Sequence, residues 1–243
     1  MEGFVRHFVV PILRRRHWKS ILEIGASTGR STDALRRHPL SSYTIIDPCL
    51  DKDLQAKYAS DPLVQVLRCN SLDALTVDGA LRDGSTFDCI LIDGDHNWYT
   101  VFNELRLIRE RNLLRRGGYI FLHDVGWPYG RRDMYYQPDS IPAEFRRPFS
   151  DKGVIRGQSE LSEAGSFNRI LMKATEEGGP RNGVLTAVED FLAQHPHEYR
   201  FCRVRMQYGL GIVQLRSGGL LSSISFTWLR MKALAYSILG QPA

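Results

Sequence analysis

Ile21-Leu22-Glu23-Ile24-Gly25-Ala26-Ser27-Thr28-Gly29-Arg30-Ser31-Thr32 reads as a short, mostly apolar strand, a glycine-punctuated turn and the start of a helix. Glycine lets backbone N–H groups approach a ligand with no Cβ in the way. The stretch therefore predicts the first strand of an α/β sheet, followed by a loop that cradles a small molecule. Downstream, Tyr43 to Asp47, Val64 to Arg68, Phe87 to Asp93 and Tyr119 to Asp124 read as four more strands. The run Phe87 to Asp93 is almost continuously apolar, as expected where helices cover both faces of a sheet. Helical spacing falls between the strands, at residues 31–38, 52–60 and 100–111, and residues 4–18 carry a further helix pattern packed beside the first strand. Gly117-Gly118 reads as turn chemistry ahead of the fifth strand.

This alternation predicts a doubly wound, Rossmann-like α/β sheet, mostly parallel, with helices on both faces. Ligands of such sheets bind beyond the carboxyl ends of the strands, where Gly25, Asp47, Ser71, Asp93, His96, His123 and Asp124 all fall. From Gly126 to about Gly179 the periodicity breaks into Pro-, Gly- and Arg-rich sequence with many aromatics, the composition of a lid-like insertion. A helix over 183–194, a strand pair at 199–206 and 210–215, and an amphipathic helix over 226–239 close the chain. The expected organisation is one domain over 1–216, with the insertion at 126–179, and a C-terminal helical segment over 217–243. That last helix reads as a packing or dimer element, with superficial membrane contact as the alternative.

The chain has 243 residues, 43% hydrophobic and 24% charged, which is globular composition and excludes a disordered class. Its net charge of +5 comes from scattered pairs such as Arg36-Arg37, Arg115-Arg116, Arg131-Arg132 and Arg146-Arg147. Such pairs suit an anionic small ligand as well as nucleic acid. The four cysteines, Cys49, Cys69, Cys89 and Cys202, have no zinc-site or C-x-x-C spacing and read as reduced thiols. No apolar run reaches bilayer length, and the apolar patch at residues 8–13 precedes its basic cluster instead of following it, unlike a signal peptide. The expected location is cytoplasmic.

Gly25-x-x-x-Gly29 lacks the middle glycine of G-x-G-x-x-G, which argues against NAD. The arrangement Glu23-x-Gly25-x-x-x-Gly29, with Asp47 closing the next strand, resembles instead the first two motifs of class I S-adenosylmethionine-dependent methyltransferases. A cofactor without phosphate needs no pyrophosphate-sized turn, and a carboxylate at the second strand's end can accept both ribose hydroxyls. Asp93-Gly94-Asp95-His96-x-x-Tyr99, Leu114-x-x-Gly117-Gly118-Tyr119-Ile120 and His123-Asp124 narrow the resemblance to bacterial sugar and natural-product O-methyltransferases, with macrocin and cephalosporin-pathway enzymes as distant relatives. Together with Asn182 to Ala187 and Tyr208 to Gly211, it spans residues 20 to 215.

The resemblance implies a seven-stranded sheet with one antiparallel strand at its edge. It also implies transfer of a methyl group to a hydroxyl oxygen of a small-molecule acceptor. Glu23, Gly25, Ala26, Ser27, Gly29, Asp47, Ser71, Leu72 and Asp93 would form the cofactor seat, with His96 as general base. Several relatives bind Mg²⁺ or another divalent ion, and here Asp93, His123 and Asp124 match those ligand positions. His123 stands where relatives place Asp or Glu, and imidazole suits Mn²⁺ or another first-row ion better than Mg²⁺. Asp95 reads as an N-cap, Trp98 and Tyr99 as pocket aromatics or core, and Arg131 and Arg132 as substrate ligands or ties of the lid. Rival readings are an RNA methyltransferase, for which no RNA-binding module is evident, and a non-catalytic cofactor-binding scaffold. Homo-oligomerisation remains open.

Overall fold

The structure is a computed structural model that describes residues 1–82, 84–164, 167–206 and 208–239. The chain begins with a helical arm made of α1 (Glu2–Phe4), a π-helical stretch Val5–Val9 and α2 (Val10–Arg16). Alternating elements follow: β1 (Ser20–Ile24), α3 (Arg30–Arg36), β2 (Ser42–Ile46), α4 (Lys52–Tyr58), β3 (Val64–Leu67) and α5 (Ser71–Thr76). Next come β4 (Phe87–Ile92), α6 (Trp98–Glu110) and β5 (Leu114–His123). After the insertion stand α7 (Val184–Gln194), β9 (Tyr199–Val204), β10 (Leu210–Leu215) and α8 (Leu220–Leu239).

Seven strands form the main sheet in the order β3-β2-β1-β4-β5-β10-β9. The first five are parallel to one another, as right-handed crossovers through helices require. β10 runs antiparallel to both β5 and β9, because a short connection can only fold β9 and β10 into a hairpin. The single reversed strand therefore lies one place inside the edge, and β9 is the edge itself.

Gly117 and Gly118 are not a turn before β5; they lie inside it. Phe87 pairs with Leu114 but Cys89 pairs with Tyr119, so extra residues of β5 bulge out there. Gly117, at φ +81°, supplies the left-handed backbone that such a bulge uses. α5 forms over Ser71–Thr76, where the sequence reading places no helix, and α8 starts six residues ahead of its expected 226.

Side-chain alternation sorts the strands onto two cores. On one face Ile21, Tyr43, Leu91, Phe121 and Ile212 pack under the N-terminal arm and α8. On the other, Leu22, Ile46, Ile90, Ile120 and Val213 pack under α6 and α7. β4 is buried nearly throughout, which is why its sequence lacks alternation.

The insertion folds into its own three-stranded antiparallel sheet, β6 (Met134–Tyr135), β8 (Met172–Ala174) and β7 (Phe149–Ser150), in that order. It closes over the carboxyl ends of the main strands, and Asp133 ties it down. One Asp133 carboxylate oxygen accepts the backbone N–H groups of Trp98, 2.6 Å, and Gly183, 2.7 Å, at the starts of α6 and α7. Tyr135 donates to the other oxygen at 2.9 Å. Arg132 and Lys173 are fully buried, and the Arg132 Nη groups and the Lys173 ammonium donate to carbonyls. Arg132 reaches Ala174 and Ser159, and Lys173 reaches Asn168, Leu171 and Asp151. Arg131 donates to Thr186 and Glu189 of α7. Both arginines thus tie the lid in place, one of the two roles that the sequence offered for them.

Candidate active site

The glycine loop turns where β1 ends because Gly25 adopts φ +82°. A Cβ built there would stand 2.4 Å from the Asp93 carbonyl oxygen, so no other residue lets the loop pass this close to the end of β4. Ser27, itself left-handed at φ +50°, donates its N–H to Asp47 Oδ2 at 2.7 Å, and Cys49 N–H donates to Oδ1 at 2.8 Å. Those two backbone donors hold the buried carboxylate in place and leave each oxygen a free lone pair.

These elements open onto a cavity of about 540 Å³, within the size range of small-molecule sites. Of the residues expected at the cofactor seat, Gly25, Ser27, Asp47, Ser71, Leu72 and Asp93 line it. Three do not. The Glu23 carboxylate points away, accepting from Thr32 at 2.5 Å and Tyr43 at 2.6 Å, and so pins α3 and β2 to β1. Burial raises its pKa to about 7 against those two hydrogen bonds. Ala26 belongs to the core, and Gly29 is the N-cap of α3, packed against Leu54.

The far wall of the cavity comes from the lid: Tyr136, Gln137, Ser140 and Ile141. Tyr136 belongs to the aromatic-rich stretch that the sequence marks as a lid, whereas nothing local in the sequence marks Gln137, Ser140 and Ile141. Asp95 and Thr100 also line the cavity, the Thr100 hydroxyl donating to Asp95 at 3.0 Å. The N-cap of α6 is Asn97, which accepts from Thr100 N–H at 2.8 Å, where Asp95 had been expected. Of the two aromatics that follow, Tyr99 reaches the cavity. Trp98 instead stacks on Phe102 and donates its indole N–H to Asp190.

Beside the cavity the ends of β4 and β5 bring Asp93, His96, His123 and Asp124 together. Asp124 is left-handed at φ +59°, a conformation that aspartate tolerates better than most residues. It is buried, with Oδ2 2.7 Å from His123 Nδ1 and 3.2 Å from His96 Nε2. His123 Nδ1 also lies 3.0 Å from Asp93. Burial opposes charge on His123, but the Asp124 and Asp93 carboxylates outweigh it and hold the imidazole pKa at about 9. Burial alone would raise Asp93, and His123 overrides that and lowers it. The ring thus lies between two carboxylates that favour its protonated form.

Among the described residues, the donor atoms close enough to one another to hold a metal ion are those of Asp93, His96 and Asp124, all within 4.8 Å of one another. His96 takes the place that the sequence assigns to His123. Two carboxylates and one imidazole fit a first-row divalent ion with mixed nitrogen and oxygen ligands better than Mg²⁺. His96 is only partly buried, and Tyr129 and Tyr136 of the lid stand over it at ring distances of 5.6 and 6.0 Å. Tyr136 therefore contacts both the cavity wall and the His96 ring.

Residues 22–125 match the family described as methyltransferase domain. Among solved structures, an S-adenosylhomocysteine-bound methyltransferase from Podospora anserina superposes with a TM-score of 0.52 at 15% identity, covering 86% of this chain and 77% of that one. A Klebsiella pneumoniae protein assigned as an O-methyltransferase does so with a TM-score of 0.50 at 17% identity, over 87% and 79% of the two chains. No curated protein matches the chain significantly. The matched segment runs from β1 to the residue after Asp124, so it contains the glycine loop and the four-residue cluster but not the lid.

Proposed function

We propose that this chain, whose residues 22–125 match the methyltransferase-domain family, methylates a hydroxyl oxygen of a small molecule using S-adenosylmethionine. The observation that carries this reading is the shared wall: Tyr136 lines the cavity and packs on His96. This supports a role for His96 as a base beside the point where a cofactor's reactive end would emerge.

When bound, S-adenosylmethionine supplies an electrophilic methyl group on a sulfonium. The two free lone pairs of Asp47 suit the ribose hydroxyls, and Ser71 and Leu72 the adenine edge. His96 Nε2 faces Asp124, which favours the tautomer with its proton there and leaves the Nδ1 lone pair to accept the acceptor's proton. As the O–CH₃ bond forms and the S–CH₃ bond breaks, that proton passes to His96 Nδ1. The Asp124 carboxylate offsets the positive charge that His96 acquires, and the lid excludes water and aligns the reactants.

A divalent ion held by Asp93, His96 and Asp124 would supply a Lewis acid to the acceptor oxygen. That arrangement occupies the His96 nitrogen that faces Asp124, so His96 as metal ligand and His96 as base are competing uses of one ring.

The tyrosines of the lid favour a sugar or a natural-product scaffold as acceptor. Arg115, Arg131 and Arg146, from the pairs that suggested RNA, are each engaged by a carboxylate of the chain and so do not supply the free basic surface that RNA binding uses. The test is formation of S-adenosylhomocysteine with a panel of sugar and phenolic acceptors, run for the wild type, His96→Ala and Asp124→Asn. His96→Ala should lower kcat by about 10²- to 10⁴-fold while leaving calorimetric cofactor binding intact. Unchanged turnover would sink the base assignment, and absence of cofactor binding by the wild type would sink the function.

A further inference from the structure

α8 is apolar on two opposite faces. Ser222, Phe226, Leu229, Ala233 and Tyr236 are buried against the N-terminal arm and β5. On the other side Leu221, Ile224, Met231, Leu234 and Ile238 are 55% to 73% exposed. Ile224, Met231 and Ile238 recur every seven residues and so nearly align along the helix, diametrically opposite Leu229. A 20-residue helix runs for about 30 Å. An apolar stripe of that length is more than the scattered apolar residues of an ordinary surface.

The charge around the stripe says what covers it. α8 contains no acidic residue, and its two charged residues, Arg230 and Lys232, lie about 100° to either side of Met231. Lys232 is tied down, donating to the His7 carbonyl at 2.5 Å. Arg230 is exposed. Arg15 stacks over Trp228 at 5.0 Å, Arg200 over Phe226 at 5.9 Å, and the Arg205 backbone binds Ser237. Among the described residues, none of Arg15, Arg200, Arg205 and Arg230 is paired with a carboxylate. An apolar face rimmed by unpaired cations complements an anionic lipid surface. A second copy fits less well, because an α8–α8 contact centred on Met231 would set Arg230 against its own counterpart.

We propose that the exposed face of α8 is a docking surface for an anionic lipid bilayer, on which the helix lies in the headgroup plane with Ile224, Met231 and Ile238 inserted. No helix among the described residues is long and apolar enough to cross a membrane, so the contact is superficial. The test is sedimentation of the full chain with phosphatidylcholine vesicles, with and without phosphatidylglycerol, at low and high salt. The full chain should sediment with the anionic vesicles, release as salt rises and ignore the zwitterionic ones. Ile224→Ser/Met231→Ser/Ile238→Ser should weaken binding by more than about tenfold, and Arg230→Gln by roughly fivefold. All three apolar positions are over half exposed, so the thermal melt should not change. If the triple variant misfolds, Arg230→Gln and the salt dependence decide. Three results would each overturn the proposal: no binding to anionic vesicles, equal binding to both vesicle types at all salt, or a dimer in ultracentrifugation that the triple variant dissolves while vesicles bind nothing.

Discussion

Glu104→Gln tests the electrostatics beneath the cavity. Glu104 stands on the apolar face of α6 with Val101, Leu105 and Ile108, is 0% exposed, and has no hydrogen-bond partner on either carboxylate oxygen. The Ser71 hydroxyl is nearby but outside hydrogen-bonding geometry. Burial is the main cause that raises its pKa from 4.5 to about 8, and the neighbouring Asp95 adds to it. Between those two values the unfolded chain releases its proton while the folded chain keeps it. The folded state then binds more protons, so stability falls as pH rises through this window and is highest below it.

At 1.36 kcal/mol per pH unit, the loss from about pH 5 to pH 8 is on the order of 4 kcal/mol. Glutamine has nearly the same shape and does not ionise, so the variant should escape this loss. The measurement is urea unfolding of both proteins at several pH values across the window. Taking the difference removes the contributions of other groups, such as Glu23 and Asp133, whose pKa values burial also raises. Near pH 5 any difference reflects packing alone, and by pH 8 the variant should gain on the order of 4 kcal/mol relative to that baseline, roughly 10 °C in Tm. A difference constant to within about 1 kcal/mol across the range would refute the reading of Glu104 as a buried neutral acid.

Two further substitutions probe the loop and the lid. Gly25→Ala forces a Cβ against the Asp93 backbone at 2.4 Å and a positive φ of 82°. It should cost at least about 2 kcal/mol of stability and weaken S-adenosylmethionine binding by calorimetry, and an unchanged affinity would mean that the loop does not seat the cofactor. Asp133→Ala strands two buried backbone N–H groups and the Tyr135 hydroxyl, a loss on the order of 3 kcal/mol. Limited proteolysis should then cut within residues 134–174 faster than in the wild type, whereas equal rates would show that the lid is anchored elsewhere.

The strands, the glycine turn and the site at their carboxyl ends were legible in the sequence because each is encoded locally. Ile21 to Ile24 and Phe87 to Ile92 carry their burial in their own composition, and Gly25 announces a close approach whatever it approaches. The bulge was not legible, since Gly117-Gly118 has the chemistry of a turn and only pairing with β4 decides that the strand continues through it. Nor was the cavity's outer wall. Tyr136 to Ile141 lie more than 40 residues from Asp93 and Asp95, and they face them because bonds such as those of Asp133 to the starts of α6 and α7 hold the insertion there. The same holds for the titrating groups. His123 and Asp124 are adjacent letters that the sequence offered as a pair of metal ligands. The left-handed turn at Asp124 and the end of β4 set the His123 ring between the Asp93 and Asp124 carboxylates and bring His96 to Asp124 as well. A sequence records which groups can ionise or ligate, whereas their pairing depends on distances of a few ångströms between separate segments, which packing alone determines.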